Sequence, residues 1–268
     1  MMYTVQHQQA YCYSGGKAIN PALASVVFLH GAQNDHSVWA LQSRYLAHHG
    51  YNVLALDLPA HGRSGGSALT SVEQMADWVL AVLDAAGVEQ AALIGHSMGS
   101  LIALEVCARA PQRVTHLGLL GSAWPMKVSD SLLNAARDEV QSAIDMVNIW
   151  SHSAMTHKPS CPGPGFSILG GSRRLMQKIA AGSSEAIFHI DFSACNAYAN
   201  GAAAAHSVRC PTLLLSGKKD QMTPPKAAAL LHQQIAHSRF VLLDQCGHAL
   251  MAEQADQVLD ALRAFLQE

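Results

Sequence analysis

One serine in the chain stands where a nucleophile would. Ser97 lies in "ALIGHSMGSLIALEV" (residues 92–106), between Gly95 and Gly99, after an apolar run of strand length and before a stretch with helical spacing. Glycine is costly to place inside a strand or helix. Two of them around one small polar residue point to a tight turn that presents it. A serine hydroxyl attacks a carbonyl only when a base takes its proton, and an acid must orient that base. Asp220, in "GKKDQMTP", follows the apolar run "PTLLLSG", and His248, in "QCGHAL", follows "FVLLD". The order serine, acid, histidine, each just past its own strand, suits a nucleophile on a strand–turn–helix elbow. Asp244 is nearer to His248 but sits in the end of the strand, so Asp220 is the expected partner. Acyl transfer also needs donors for the developing oxyanion. The backbone amides of Met98, directly after the serine, and of Ala32, in the loop after "VVFLHG", are the candidates. His30 and Gly31 then shape that loop, since a second histidine base would be redundant.

The elements around these residues alternate. Strands are expected within 3–13, 25–31, 51–59, 91–97, 114–121, 210–220 and 239–248. Helices are expected at 36–49, 71–86, 98–110, 225–236 and 251–266. Near-continuous apolar strands separated by amphipathic helices imply a mostly parallel sheet, here eight-stranded, covered on both faces. The class is α/β. From Ser122 to about His206 the rhythm breaks. Residues 130–151 share one helical face, 157–167 form a Pro/Gly loop, and 172–181 and 184–199 read as helices. We therefore expect a core of residues 1–121 and 207–268, with 122–206 inserted as an all-helical lid.

Composition narrows the class. Charged residues make up 13 % of the 268, against about 25 % in an average domain. Half the residues are hydrophobic, yet no apolar run reaches the roughly 18 residues of a membrane helix. A net charge of −2 without a basic block excludes a nucleic-acid footprint. The N-terminal stretch carries no secretory pattern, and the six scattered cysteines read as reduced thiols, so the cytoplasm is the expected compartment. Fifteen histidines without metal-ligand spacing argue against a zinc site. Neither metal nor cofactor is expected, the partner is a small-molecule substrate, and the assembly is a monomer or homodimer.

Together, "FLHGAQND", "LDLPAHGRSGG", "IGHSMGS", "LLLSGKKDQMTP" and "DQCGHALMAEQADQVLDALRAFL" resemble the α/β-hydrolase superfamily, in particular its lidded bacterial hydrolases. The resemblance covers the core, about 24–121 and 208–266, and leaves the lid without a motif. It implies Ser97 as nucleophile, Asp220 as acid, His248 as base, and Ala32 with Met98 as oxyanion donors. Ala60 stands where the family's Asp-x-x-Gly-His-Gly-x-Ser loop has its first glycine, and "HGAQ" is not the HGGG of some lipases and esterases. A serine, not an aspartate, in the elbow excludes haloalkane dehalogenase and epoxide hydrolase chemistry. The implied activity is that of a carboxylesterase-like serine hydrolase. Its substrate would be a small, mainly apolar ester, thioester or lactone of short to medium chain, cleaved through an acyl-enzyme on Ser97. Carbon–carbon hydrolysis, acyl transfer, and a non-catalytic receptor are the alternatives. Trp124, Met126, Trp150, Phe192, Met222 and Leu250 are the principal substrate-contact candidates, with Met146, Phe166, Met176, Phe188 and Tyr198 behind them. Arg173 and Arg174 are expected on a solvated face. Asp191, Cys195 and Asn196 share one lid-helix face and form a candidate polar patch above the site.

Overall fold

A computed structural model describes residues 1–153 and 167–268; Phe166 and most of the expected Pro/Gly loop lie outside the described residues. In chain order the first half runs β1 (Met2–Val5), β2 (Gln8–Tyr13), β3 (Ser25–Leu29), α1 (Ala40–His48), β4 (Asn52–Leu56), α2 (Val72–Ala85), β5 (Ala91–His96), α3 (Met98–Arg109) and β6 (Val114–Leu120). Among the described residues five helices follow: α4 (Asp130–Asp138), α5 (Val140–Ser151), α6 (Ile168–Ala181), α7 (Ile187–Ala197) and α8 (Gly201–Ser207). The chain closes with β7 (Thr212–Gly217), α9 (Pro225–Gln234), β8 (Ser238–Leu243), α10 (Leu250–Glu253) and α11 (Ala255–Phe265).

The eight strands form one sheet in the order β1-β2-β4-β3-β5-β6-β7-β8. The first two are antiparallel and the remaining six parallel. Every residue of β4, β5 and β7 is buried, as expected of parallel strands covered on both faces. One apolar layer joins α1 and α11 to the sheet through Trp39, Leu46, Val258, Leu262 and Phe265. On the opposite face, residues of α2 and α3 share one layer with Leu132, Ile144, Val147, Phe188 and Phe192 of the inserted helices. The insertion thus packs into the core rather than enclosing a core of its own. Among the described residues it contains no strand, and no helix is long and apolar enough to cross a membrane.

The strand order places the functional end. From β3 the chain moves to one side, to β4, then crosses to the other side, to β5. This reversal opens a crevice at the carboxyl ends of β3 and β5, where open α/β sheets bind ligands. Ala32 follows β3 and Ser97 follows β5. Residues 130–151 are not one helix, because the chain turns at Glu139 (φ −140°, ψ 61°), and both halves thereby bury apolar residues in one layer. The last helix likewise breaks at Gln254, whose side-chain amide donates to the Asp244 carbonyl at 3.0 Å. Helix α8, built on an alanine run, is an element that the apolar spacing did not disclose.

Gly95 and Gly99 have a steric reason. A Cβ on Gly95 would run into the Gly99 carbonyl, and one on Gly99 into the carbonyl oxygens of Leu29 and His30. Helix α3 therefore starts in backbone contact with both β5 and β3. Replacing Gly99 by alanine is expected to cost at least about 2 kcal/mol, whereas Gly171→Ala, whose Cβ meets nothing within 4 Å, stabilises the protein by about 0.5–1 kcal/mol. Denaturant midpoints of the two variants check this; equal midpoints would contradict it.

Candidate active site

Ser97 occupies the turn between β5 and α3 with φ 53° and ψ −120°, a conformation that costs a non-glycine residue roughly 1–3 kcal/mol. The surroundings hold it there. Its N–H donates to the Leu120 carbonyl at 2.9 Å, and its carbonyl accepts the Ser100 N–H at 2.8 Å. That carbonyl also meets Ser100 Oγ at 2.6 Å, which in turn lies 2.8 Å from Ser122 Oγ. The backbone is spent on its neighbours, and the side chain faces the crevice.

His248 and Asp220 meet at the same end of the sheet. His248 Nδ1 lies 2.8 Å from Asp220 Oδ2. Asp220 Oδ1 accepts the N–H groups of Met222 and Thr223 at 2.8 Å each, and Oδ2 also accepts the Thr223 hydroxyl at 2.8 Å. Burial alone would raise the Asp220 pKa, but the charge and hydrogen bond of His248 with those from Thr223 hold it below the usual carboxylate value. The carboxylate is thus ionised and fixed in direction. Thr223 was not among the expected residues; an aspartate followed three positions later by threonine is its local sign in the sequence. The His248 loop is anchored on three sides. Its carbonyl accepts from His96 Nε2 at 2.8 Å, the Gly247 N–H donates to Glu253 Oε2 at 2.6 Å, and the Ala249 N–H to the Ser151 carbonyl at 2.9 Å. Asp244 is far more exposed and pairs with Lys218.

The loop after β3 is equally determined. His30 Nε2 accepts the Leu58 N–H at 3.1 Å, so Nδ1 carries the proton that goes to the Gly31 carbonyl at 2.8 Å. With that carbonyl held, the Ala32 N–H at the other end of the peptide points away from His30. Among the described residues neither the Ala32 nor the Met98 N–H meets an acceptor, and Gly31 packs against the Ser97 Cβ. Ala60, at the position of the missing glycine, takes φ 65°, so the left-handed turn survives without it. In the same loop Asp57 accepts the N–H groups of His36 and Arg63 at 2.7 and 2.8 Å and lies 2.7 Å from His36 Nδ1. Asp35, His36 and Asp57 are the one group among the described residues whose atoms approach metal-ligand geometry. Hydrogen bonds of the two turns already occupy both Asp57 oxygens, and Asp35 caps the turn at Ser37.

Two cavities meet at Ser97. The larger, about 420 Å³, is lined by Ala32, Ser97, Met176, Phe188, Phe192 and His248 among others, and, among the described residues, by no lysine, arginine, aspartate or glutamate. The smaller, about 190 Å³, reaches Met126, Trp150, Cys195 and Met222. Phe192 and Met222 line both. Trp124 and Leu250 line neither. Trp124 packs over Gly201, where a Cβ would strike its ring, and Leu250 points into the layer beneath the sheet. Met146 packs into the core, and the Tyr198 hydroxyl donates to Glu105 at 2.7 Å. Arg173 pairs with Asp145 at 2.6 Å on the surface, and Arg174 is exposed. Of the candidate polar patch, Cys195 reaches the smaller cavity, Asn196 accepts the Val128 N–H at 3.3 Å, and Asp191 is fully buried against the β3 loop.

A model described as "Alpha/beta hydrolase family" matches residues 26–261. The chain is 28 % identical over 258 residues to a pimeloyl-[acyl-carrier protein] methyl ester esterase of Nitrosomonas europaea, covering 90 % of this chain and 94 % of the relative. It is 28 % identical over 265 residues to the dihydrolipoyllysine-residue acetyltransferase component of an acetoin cleaving system of Pseudomonas putida, covering 95 % of this chain but 65 % of that longer protein. An enol-lactonase from Burkholderia xenovorans LB400 superimposes with a TM-score of 0.86 at 24 % identity, with all of both chains covered; that likeness speaks for the fold.

The site's histidines make stability sensitive to acid. Burial, reinforced by a neighbouring histidine, lowers the His30 pKa to about 4 and the His96 pKa to about 3. Both must stay neutral in the folded protein while they charge freely near 6.5 when unfolded, so each costs stability as pH falls below that value. His61 shifts upward, so its contribution is already complete below pH 6.5 and offsets nothing. Asp57 and Asp220, both depressed, add to the loss only below about pH 4. Between pH 6.5 and 4.5 the folded state is expected to lose roughly 1 kcal/mol per pH unit for each of the two histidines. Thermal midpoints across that range test this, and a flat profile would contradict it.

Proposed function

The chain belongs to the alpha/beta hydrolase family, and from that premise we propose that it is a serine hydrolase of small, mainly apolar carboxylic esters or lactones. The observation that carries the reading is the placing of Ser97 and His248 on the wall of one cavity, with Asp220 2.8 Å behind the histidine. Ser97 Oγ attacks the carbonyl carbon while His248 Nε2 takes its proton, and ionised Asp220 stabilises the imidazolium through Nδ1. The oxyanion receives the Ala32 and Met98 N–H groups. Collapse breaks the bond to the alcohol, which leaves with the proton from His248. Water, deprotonated by the same histidine, then releases the acid and frees Ser97.

The larger cavity, lined among the described residues by no lysine, arginine, aspartate or glutamate and in the size range of ordinary ligand pockets of about 300–1,000 Å³, suits an uncharged acyl or alkoxy group. Residues of both core and insertion line it, so 122–206 serve as the cap over a core of 1–121 and 207–268. The Nitrosomonas relative, named as a methyl ester esterase, supports an ester over a carbon–carbon substrate.

Turnover of a panel of p-nitrophenyl esters tests the reading. Wild-type protein is expected to cleave butyrate to octanoate esters faster than palmitate, and a reversed order would contradict the predicted chain length. Ser97→Ala loses at least about 10⁴-fold in kcat/KM and Asp220→Asn about 10³- to 10⁴-fold, while Asp244→Asn stays within about twofold. Undiminished activity of Ser97→Ala would refute the assignment.

A further inference from the structure

Asp191 is a carboxylate without exposure on a helix of the insertion, outside the residues given roles above. Its Oδ2 accepts the Gln33 N–H at 2.8 Å and lies 3.0 Å from His61 Nε2. His61 Nδ1 lies 2.9 Å from the Pro59 carbonyl, which can only accept. With acceptors at both ring nitrogens, His61 is an imidazolium facing an aspartate anion. Burial pushes the His61 pKa down, but the charge and hydrogen bond of Asp191 outweigh it and hold it above the ordinary value. His61 also faces the neutral ring of His30, 4.9 Å away, and the charge of Asp57. An ion pair of this kind costs desolvation energy that an apolar pair would not. Among the described residues Asp191 Oδ1 has no hydrogen-bond partner. A helix that needed only packing would have no use for such a group.

The pair does fix one peptide. The Ala32–Gln33 peptide has its carbonyl held by Asn34 Nδ2 at 2.9 Å and its N–H by Asp191. Gln33 takes φ 55°, a left-handed conformation that persists only where surroundings over-determine it, and its side chain reaches across to the Met176 carbonyl of α6 at 3.1 Å. The preceding peptide, which carries the Ala32 N–H, is held by His30. All the fixed points around that donor belong to the core except Asp191 and Met176, which belong to the inserted helices.

We propose that Asp191 is a positioning residue, which holds the Ala32–Gln33 peptide in place and so makes the oxyanion hole depend on the seating of helix α7. The inference rests on the serine-hydrolase reading, since it concerns a donor of that mechanism. When α7 is seated, the Ala32 N–H is aimed at the crevice. When α7 moves away, Gln33 loses its partner and its left-handed backbone relaxes.

The experiment measures kcat and KM on a p-nitrophenyl ester, affinity for an alkyl boronic acid as a tetrahedral mimic, and thermal midpoints. Asp191→Ala is expected to lower kcat by about 10- to 100-fold, part of the roughly 10²- to 10³-fold of a lost donor. KM stays within about twofold, and boronate affinity falls in step with kcat. Asp191→Asn keeps the side-chain volume and, with its oxygen where Asp191 Oδ2 lies, still accepts the Gln33 N–H and the His61 Nε2–H. It is expected to recover at least tenfold of the lost kcat across pH 6 to 8. Wild-type protein inactive on every ester would refute the serine-hydrolase reading itself. Active wild type, with Asp191→Ala folded and unchanged in kcat and boronate affinity, would overturn the positioning role alone. Should Asp191→Ala not fold, Asp191→Leu, which keeps the volume but offers no acceptor to the Gln33 N–H, takes its place: unchanged kcat and boronate affinity overturn the role, and a parallel fall of both with KM held supports it.

Discussion

The structure depends on a backbone contact rather than on any side chain. Helix α3 begins so close to β3 that Gly99 lies under the carbonyls of Leu29 and His30, and Gly95 lies against Gly99. No side chain fits at either position, and the turn between them must take the strained backbone seen at Ser97. Everything at the crevice inherits this spacing. A Cβ on Gly31 would come within 3.1 Å of the Ser97 Cβ, so the β3 loop and the β5 turn are a single unit. The first N–H groups of α3, left without helical acceptors, face the same point. Strain at Ser97 is tolerated because the sheet, through Leu120 and Ser122, holds the turn from the opposite side.

The hydrogen-bond economy around this unit is directional. His30 is tautomerically locked between the Leu58 N–H and the Gly31 carbonyl. His96 lends its Nε2–H to the His248 carbonyl, while Thr223 and two backbone amides orient the Asp220 carboxylate. None of these groups needs to move for the proposed acyl transfer. Preorganised dipoles of this kind stabilise developing charge without a reorganisation cost during the reaction. The inserted helices join the same network at Asp191; apart from it, Glu105 of α3 receives Tyr198 and Asn200 from the return of the insertion to the core.

How much of this was legible beforehand follows from the range of the forces. Strands β3 to β7 announced themselves because buried parallel strands are continuous apolar runs, and the residues just past their ends fell where parallel topology puts them. Ser97, Asp220 and His248 could be placed for that reason. The Thr223 contact with Asp220 had a local signature that went unread. The Asp191 contact with Gln33 spans 158 residues, and helical spacing reveals a shared face but never the distant loop it meets. Trp124 and Leu250 fail as cavity residues for a related reason: apolar character marks burial, not which side of a turn the side chain takes. The breaks at Glu139 and Gln254 reflect packing of neighbouring helices, which overrides a continuous helical pattern.

The central claim is that one hydroxyl, presented by the glycine-flanked turn and backed by His248 and Asp220, is the nucleophile. The most direct measurement treats the folded protein with a fluorophosphonate and maps the adduct by mass spectrometry. We predict a single phosphonyl group on Ser97, abolished by heat denaturation before treatment. No adduct in the folded protein, or an adduct on another residue with Ser97 unmodified, would contradict the account.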